Sequence, residues 1–149
     1  MSSSSPYKAF TLIELLVVIA IIGILTAIVM ANFTAAKSKS RDAKRVSDIA
    51  QIQLTLELVY DRCSSYPSAI TETTSICNSL TVGSFISKVP TDNYAGTSYA
   101  YAINGNATDY VLQARLENSS AVPPESVTVP TINPPSGNCA APYYCVQSK

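Results

Sequence analysis

The stretch YKAFTLIELLVVIAII, residues Tyr7 to Ile22, decides how the rest of this chain is read. It opens a run from Phe10 to Ala31 that is apolar throughout except at Thr11, Glu14 and Thr26. As a helix, those 22 residues extend about 33 Å, close to the hydrocarbon thickness of a bilayer. A secretory signal carries an apolar region of only about 7–15 residues, closed by a small-residue cleavage site. This run is longer and no such site ends it, so the span is expected to stay with the protein. Glu14 is the anomaly. An acid at the centre of a membrane helix costs about 2.5–3.5 kcal/mol, and less near an end, so it normally has a partner or a function. Lys8 lies too far round the helix to face it. A cut between Ala9 and Phe10 would place a new α-amine one helical turn from Glu14, on the same chain or a neighbouring one. Either pairing offsets the desolvation of a lone carboxylate.

Working outward, the composition narrows the chemistry. Only 13% of the 149 residues are charged, against about 25% in soluble domains. Ten basic and ten acidic residues cancel, so no net field favours a polyanion. Nine tyrosines offer rings for stacking nucleic acid, but nothing in the charge supports that partner. The chain has no His, which removes the commonest general base and the commonest metal ligand. An enzyme is not expected, nor a cofactor or metal; Asp92, Asn93 and Asp109 lack the ligand spacing of a calcium site. The four cysteines, Cys63, Cys77, Cys139 and Cys145, all follow the apolar run. An even number without a CxxC pair predicts disulfides in an oxidising compartment.

Asn32 to Arg62 contains no Pro or Gly, so the helix is expected to continue until Ser64-Ser65-Tyr66-Pro67 breaks it. At 100° per residue this segment carries two apolar stripes. The broader holds Val46, Ile49, Ile52, Leu56, Val59 and Tyr60; the narrower, on the far side, holds Ala36, Ala43, Ala50, Leu54 and Leu58. Lys44, Asp48, Gln51 and Thr55 lie between them. One stripe suffices to pack against the chain's own head. The second calls for another partner, most simply another copy, the alternative being a two-sided core helix. Beyond Cys63, Thr97 to Ile103 and Asp109 to Glu117 read as strands joined by the turn residues NGNAT, an antiparallel hairpin. A third strand falls at Ser126 to Val129 or at Tyr143 to Val146, and the Pro-rich tail from Pro123 reads as loop.

AFTLIELLVVIAIIGILTAI resembles the N-terminal signature of type IV pilins and type II secretion pseudopilins. In that family a short leader is removed before a Phe, which is N-methylated, and a Glu follows four residues on. The resemblance implies cleavage between Ala9 and Phe10, methylation at Phe10, and Phe10 with Glu14 as the subunit-assembly pair. Thr11, Leu12, Ile13 and Leu15 match as well; Ala9 stands where the family usually has Gly. The implied fold is α+β and pilin-like: a long N-terminal helix, its apolar half membrane-spanning, its amphipathic half packed on a small antiparallel β-sheet. The implied organisation is a leader 1–9, an assembly helix 10–31, its amphipathic continuation 32–62 and a β-rich head 63–149. The implied function is a filament subunit, processed by prepilin peptidase and polymerised with other pilins through an inner-membrane assembly platform. It would rest in the inner membrane with its head outside, then in an extracellular filament or periplasmic pseudopilus. The competing class is a single-pass anchored binding or sensor domain.

Of the three cysteine pairings, Cys63–Cys77 with Cys139–Cys145 closes short loops, and the second resembles the C-terminal disulfide loop of many pilins. Orientation is contested by Lys37, Lys39, Arg41, Lys44 and Arg45, since positive-inside counting would hold the domain in the cytoplasm. Asp42 and Asp48 are expected to make this cluster a solvated helix face, which leaves the cysteines and the resemblance to set the head outside.

Overall fold

The computed structural model describes residues 10–92, 97–128, 130, 132–135 and 137–148, without the side chains of 31, 32 and 97. The leader, with Lys8 and Ala9, lies outside the described residues, as do Asn93 and Val129. One helix, α1, runs Leu12–Cys63. The chain's contacts divide it into two units, Met1–Lys37 and Ser38–Lys149.

In the first unit every described side chain from Phe10 to Lys37 is exposed, including Leu12, Ile19 and Leu25. Straight-chain and branched aliphatics around every side satisfy the backbone only by helix, and they bring no core of their own. Length and composition suit a membrane crossing.

The second unit holds the core. Ile49, Ile52 and Leu56 on α1 form one apolar cluster with Tyr110, Leu112, Ala114 and Leu116, and Val46 and Tyr60 pack at its edge. Full burial of each such aliphatic is worth about 1.5–3 kcal/mol. These are residues of the broader stripe. The narrower stripe, Ala36, Ala43, Ala50, Leu54 and Leu58, is exposed along its length. Asp48 and Thr55, expected between the stripes, are instead buried.

The strands are β1 (Thr91–Asp92), β2 (Thr97–Ser98), β3 (Ala100–Ile103), β4 (Tyr110–Arg115) and β5 (Tyr143–Gln147). β1 and β2 form a small antiparallel pair, while β3-β4-β5 form an antiparallel three-stranded sheet. Tyr101 lies opposite Leu112 and Ala114 opposite Tyr144. This is the α+β arrangement, with the amphipathic helix on one sheet face. Of the two candidates for a third strand, the sheet uses Tyr143–Gln147; Ser126 instead bonds the β5 edge through its hydroxyl, 3.1 Å from the Cys145 amide.

The alternation in β4 has a use on both faces. Tyr110, Leu112 and Ala114 point to the helix, and Val111 packs with Cys139 and Cys145 under the tail. Gln113, buried on that second face, donates to the Asn138 carbonyl at 2.6 Å. The tail is therefore a cover for the sheet. Disulfides join Cys63 to Cys77 and Cys139 to Cys145, with Cα separations of 5.6 and 5.8 Å.

Candidate assembly site

Thr11 and Glu14 begin α1 with a reciprocal cap. The Glu14 carboxylate accepts from the Thr11 amide at 2.9 Å and from its hydroxyl at 2.7 Å, and the Glu14 amide donates back to that hydroxyl at 3.3 Å. This is the T-x-x-E capping box, which satisfies two amides that the first helical turn leaves without partners. Its signal in the sequence is Thr11 three places before Glu14, just ahead of an apolar run. The carboxylate therefore has a local partner in the uncut chain. Phe10 precedes the cap with 89% of its surface exposed. Further along, the Thr26 hydroxyl returns to the Ile22 carbonyl at 2.7 Å, so neither polar hydroxyl of the span is left unbonded. Gly23 has open space where a Cβ would stand, so no contact among the described residues requires a glycine there.

The base of the head is electrostatic, and here the solvated-face expectation is corrected. Asp42, Arg45 and Asp48 are 2%, 3% and 8% exposed. Arg45 falls on the same helical face as Ile49 and Ile52, so it is carried into the head, where sequence-distant acids meet it. Its guanidinium reaches Asp42 at 2.7 Å, Asp92 at 2.9 Å and Glu117 at 3.0 Å. Burial alone would lower the Arg45 pKa; the bonds to Asp92, Asp42 and Glu117 outweigh it and raise the pKa. Asp42 also accepts the Glu117 and Asn118 amides, each at 2.9 Å. Arg41 grips Glu117 through two nitrogens. That grip, with help from Arg45, holds the Glu117 carboxyl down at about 2. Asp48 accepts from Lys44 at 2.7 Å and from the Tyr99 hydroxyl at 2.8 Å. Glu57 accepts two further tyrosines, Tyr66 at 3.2 Å and Tyr110 at 3.1 Å. Burial, then the nearby Glu57 charge, pushes both phenols up, so they remain donors. Asp92 and Asp109, weighed as calcium ligands, are engaged separately, Asp92 by Arg45 and Asp109 by Asn104 and Thr108.

The first unit thus carries a short polar cap before an exposed apolar helix, and the second a head clamped by buried ion pairs. The prokaryotic N-terminal methylation motif matches residues 5–30. The chain is similar to the type II secretion system core protein G of Pectobacterium carotovorum subsp. carotovorum, 38% identical over 61 residues, 41% of this chain and 39% of that protein. The protein of the same name from Escherichia coli strain K12 is 35% identical over 68 residues, 46% of this chain and 47% of that protein. For Aeromonas hydrophila the figures are 32% over 94 residues, 57% of this chain and 66% of that protein. The chain thus spans less than two thirds of the length of these curated relatives. No solved structure matches it. Over its N-terminal part the chain is thus similar to type IV pilins and pseudopilins.

Proposed function

We propose that the chain is a subunit of a pilin-like filament, built and stored in the inner membrane and polymerised through its N-terminal helix. The observation that carries this reading is a capped acid, Glu14, at the mouth of an apolar helical run whose described side chains, residues 10–30, are all exposed. Left in water, each large one would cost about 1.5–3 kcal/mol. Lipid covers them in the precursor, and a bundle of equivalent helices covers them in the fibre, so transfer need not wet them. Prepilin peptidase cuts between Ala9 and Phe10, removing residues 1–9, and Phe10 is methylated. The new ammonium pairs with Glu14 of the same or the next chain, drawing the carboxylate from its Thr11 cap. A subunit one turn out of register leaves a buried acid unpaired, which fixes the axial position. Residues 10–31 serve as span and assembly helix, 32–62 as the amphipathic stem and 63–149 as the head, held outside the membrane.

The partners are other pilins, the peptidase and an inner-membrane assembly platform. The relatives' name, core protein of a secretion system, favours a periplasmic pseudopilus over a long extracellular fibre. Intact-mass measurement of the protein from native membranes tests the reading. The expected species starts at methylated Phe10. A species that keeps residues 1–9 in a strain with active peptidase would select the plain membrane anchor instead.

A further inference from the structure

The outer face of α1 within the head unit is divided by charge. At 100° per residue, Leu54 and Leu58 lie in the middle, Glu57 and Asp61 on one flank, and Lys44, Gln51 and Arg62 on the other. The two leucines are 63% and 48% exposed. Beside the basic flank runs an open cleft of about 270 Å³, walled by Lys44 and Gln51 on the helix and by Lys88 to Thr91 opposite. Asp48, at its floor, is already bonded to Lys44 and to the Tyr99 hydroxyl. Two ammonium groups, Lys44 and Lys88, thus line the cleft, while Asp48 is held by Lys44 and Tyr99, and Glu72, near Lys88, by the Val89 amide at 2.8 Å. Across the leucines, the Asp61 side chain is exposed and takes no bond from any described residue. Glu57 on the same flank is bound to its two tyrosines. Asp61 is therefore the acid available to a partner.

We infer that these flanks are the two halves of one contact between copies of this chain. The Asp61 carboxylate of one copy enters the cleft of the next, between Lys44 and Lys88, and the join covers Leu54 and Leu58. This rests on the filament reading and names the surface by which neighbouring heads meet. Copies packed antiparallel, face to face, would set acid against acid and base against base, as like flanks do in antiparallel helix pairs. Parallel copies side by side set the acidic flank against the basic one. That contact is heterologous and need not close, the geometry of a growing fibre. Asp61 lies beyond the Lys44–Asp48 level by about 20–25 Å at 1.5 Å per residue, which sets the stagger between the two copies. The leucines supply apolar contact and the charges supply direction and register.

Charge reversal in the full-length chain, read as fibre yield in an assembly-competent strain, tests the contact. Lys88→Glu and Asp61→Lys are each expected to lower the yield about tenfold, and the double exchange to restore it to within about twofold of the parent. All the positions are exposed, so thermal melting in detergent should be unchanged. A carbodiimide applied to fibres of mixed isotopic label should join Asp61 to Lys44 or Lys88 across two chains. Single reversals that assemble normally, or a double exchange no better than the singles, overturn the contact. If Glu14→Ala still abolishes fibres in that case, the filament reading stands without it. A chain that stays uncut and forms no fibre sinks both.

Discussion

Glu14 and Asp42 sit on the same helix and solve the same problem by opposite means. Glu14 is exposed and takes its bonds from Thr11, three residues away. Asp42 is 2% exposed and binds Arg45 together with the amides of Glu117 and Asn118, more than seventy positions further on. A local cap can be exchanged for another partner at little cost. A buried, four-way ionic cluster cannot, because removing one member strands the rest in low dielectric. The lesson is a contrast along one helix: its start is capped by a neighbour three residues away, and its stem is fixed to one head.

The comparison breaks first at Glu14. Glu14→Ala is expected to insert and be cut normally yet leave fibre yield at background, counted by electron microscopy or shearing; normal fibres would remove its register role. At the stem, Arg45→Met leaves Asp42 and Asp92 uncompensated and should destabilise the head by about 3–5 kcal/mol, read from urea unfolding in detergent. Fibre loss in that variant should follow head stability, unlike the loss in Glu14→Ala. Gly83→Ala is a packing test of the same unit. A Cβ there would stand 2.8 Å from the Glu72 carbonyl oxygen, so a cost of about 1–3 kcal/mol is expected by the same measurement.

Smaller effects sharpen the contrast. Thr11→Val deletes the hydroxyl half of the cap, with an expected loss of about 1 kcal/mol confined to the first turn. Amide exchange at Leu12 to Leu15 should quicken, Thr11→Ser should retain protection, and the head should be unaffected. Glu117 gives the smallest signal, since its side chain stays 23% exposed. Its carboxyl ordinarily titrates at 4.5 and is held at about 2 in the fold. Its stabilisation is therefore complete above about pH 4.5 and is lost as the pH falls toward 2. Glu117→Gln should flatten that part of the stability profile, and an unchanged slope would mean that Arg41 and Arg45 do not hold the charge.

The parts of the fold visible in the sequence were those with a period or a local stop. The apolar span, the break after Cys63 and the broader stripe ending in Leu56 and Val59 each follow from residues within a few turns of one another. The hairpin around NGNAT is of the same kind, its register fixed by a short turn. Of the candidate assembly site, Phe10 and Glu14 stand out in the sequence, and the Thr11 cap is legible as Thr11 three places before Glu14. The electrostatic clamp was misread, because a run of alternating charge looks like a wetted surface wherever no partner is adjacent. Arg45 meets Asp92 and Glu117 only after the strands are in place, and no spacing along the chain announces that. The cover over the second face of β4 was hidden likewise, since the tail that forms it has no pattern of its own.

By itself, then, the sequence determined an apolar helix with one acid at its mouth and a two-striped stem, because these depend on neighbours three and four residues apart; the class of subunit came from the resemblance alone. Only the tertiary structure decided which charges are buried, which stripe of the stem stays open and what the tail covers. Those outcomes depend on pairs brought together from across the chain, whose energies exist only once the distances between them are set.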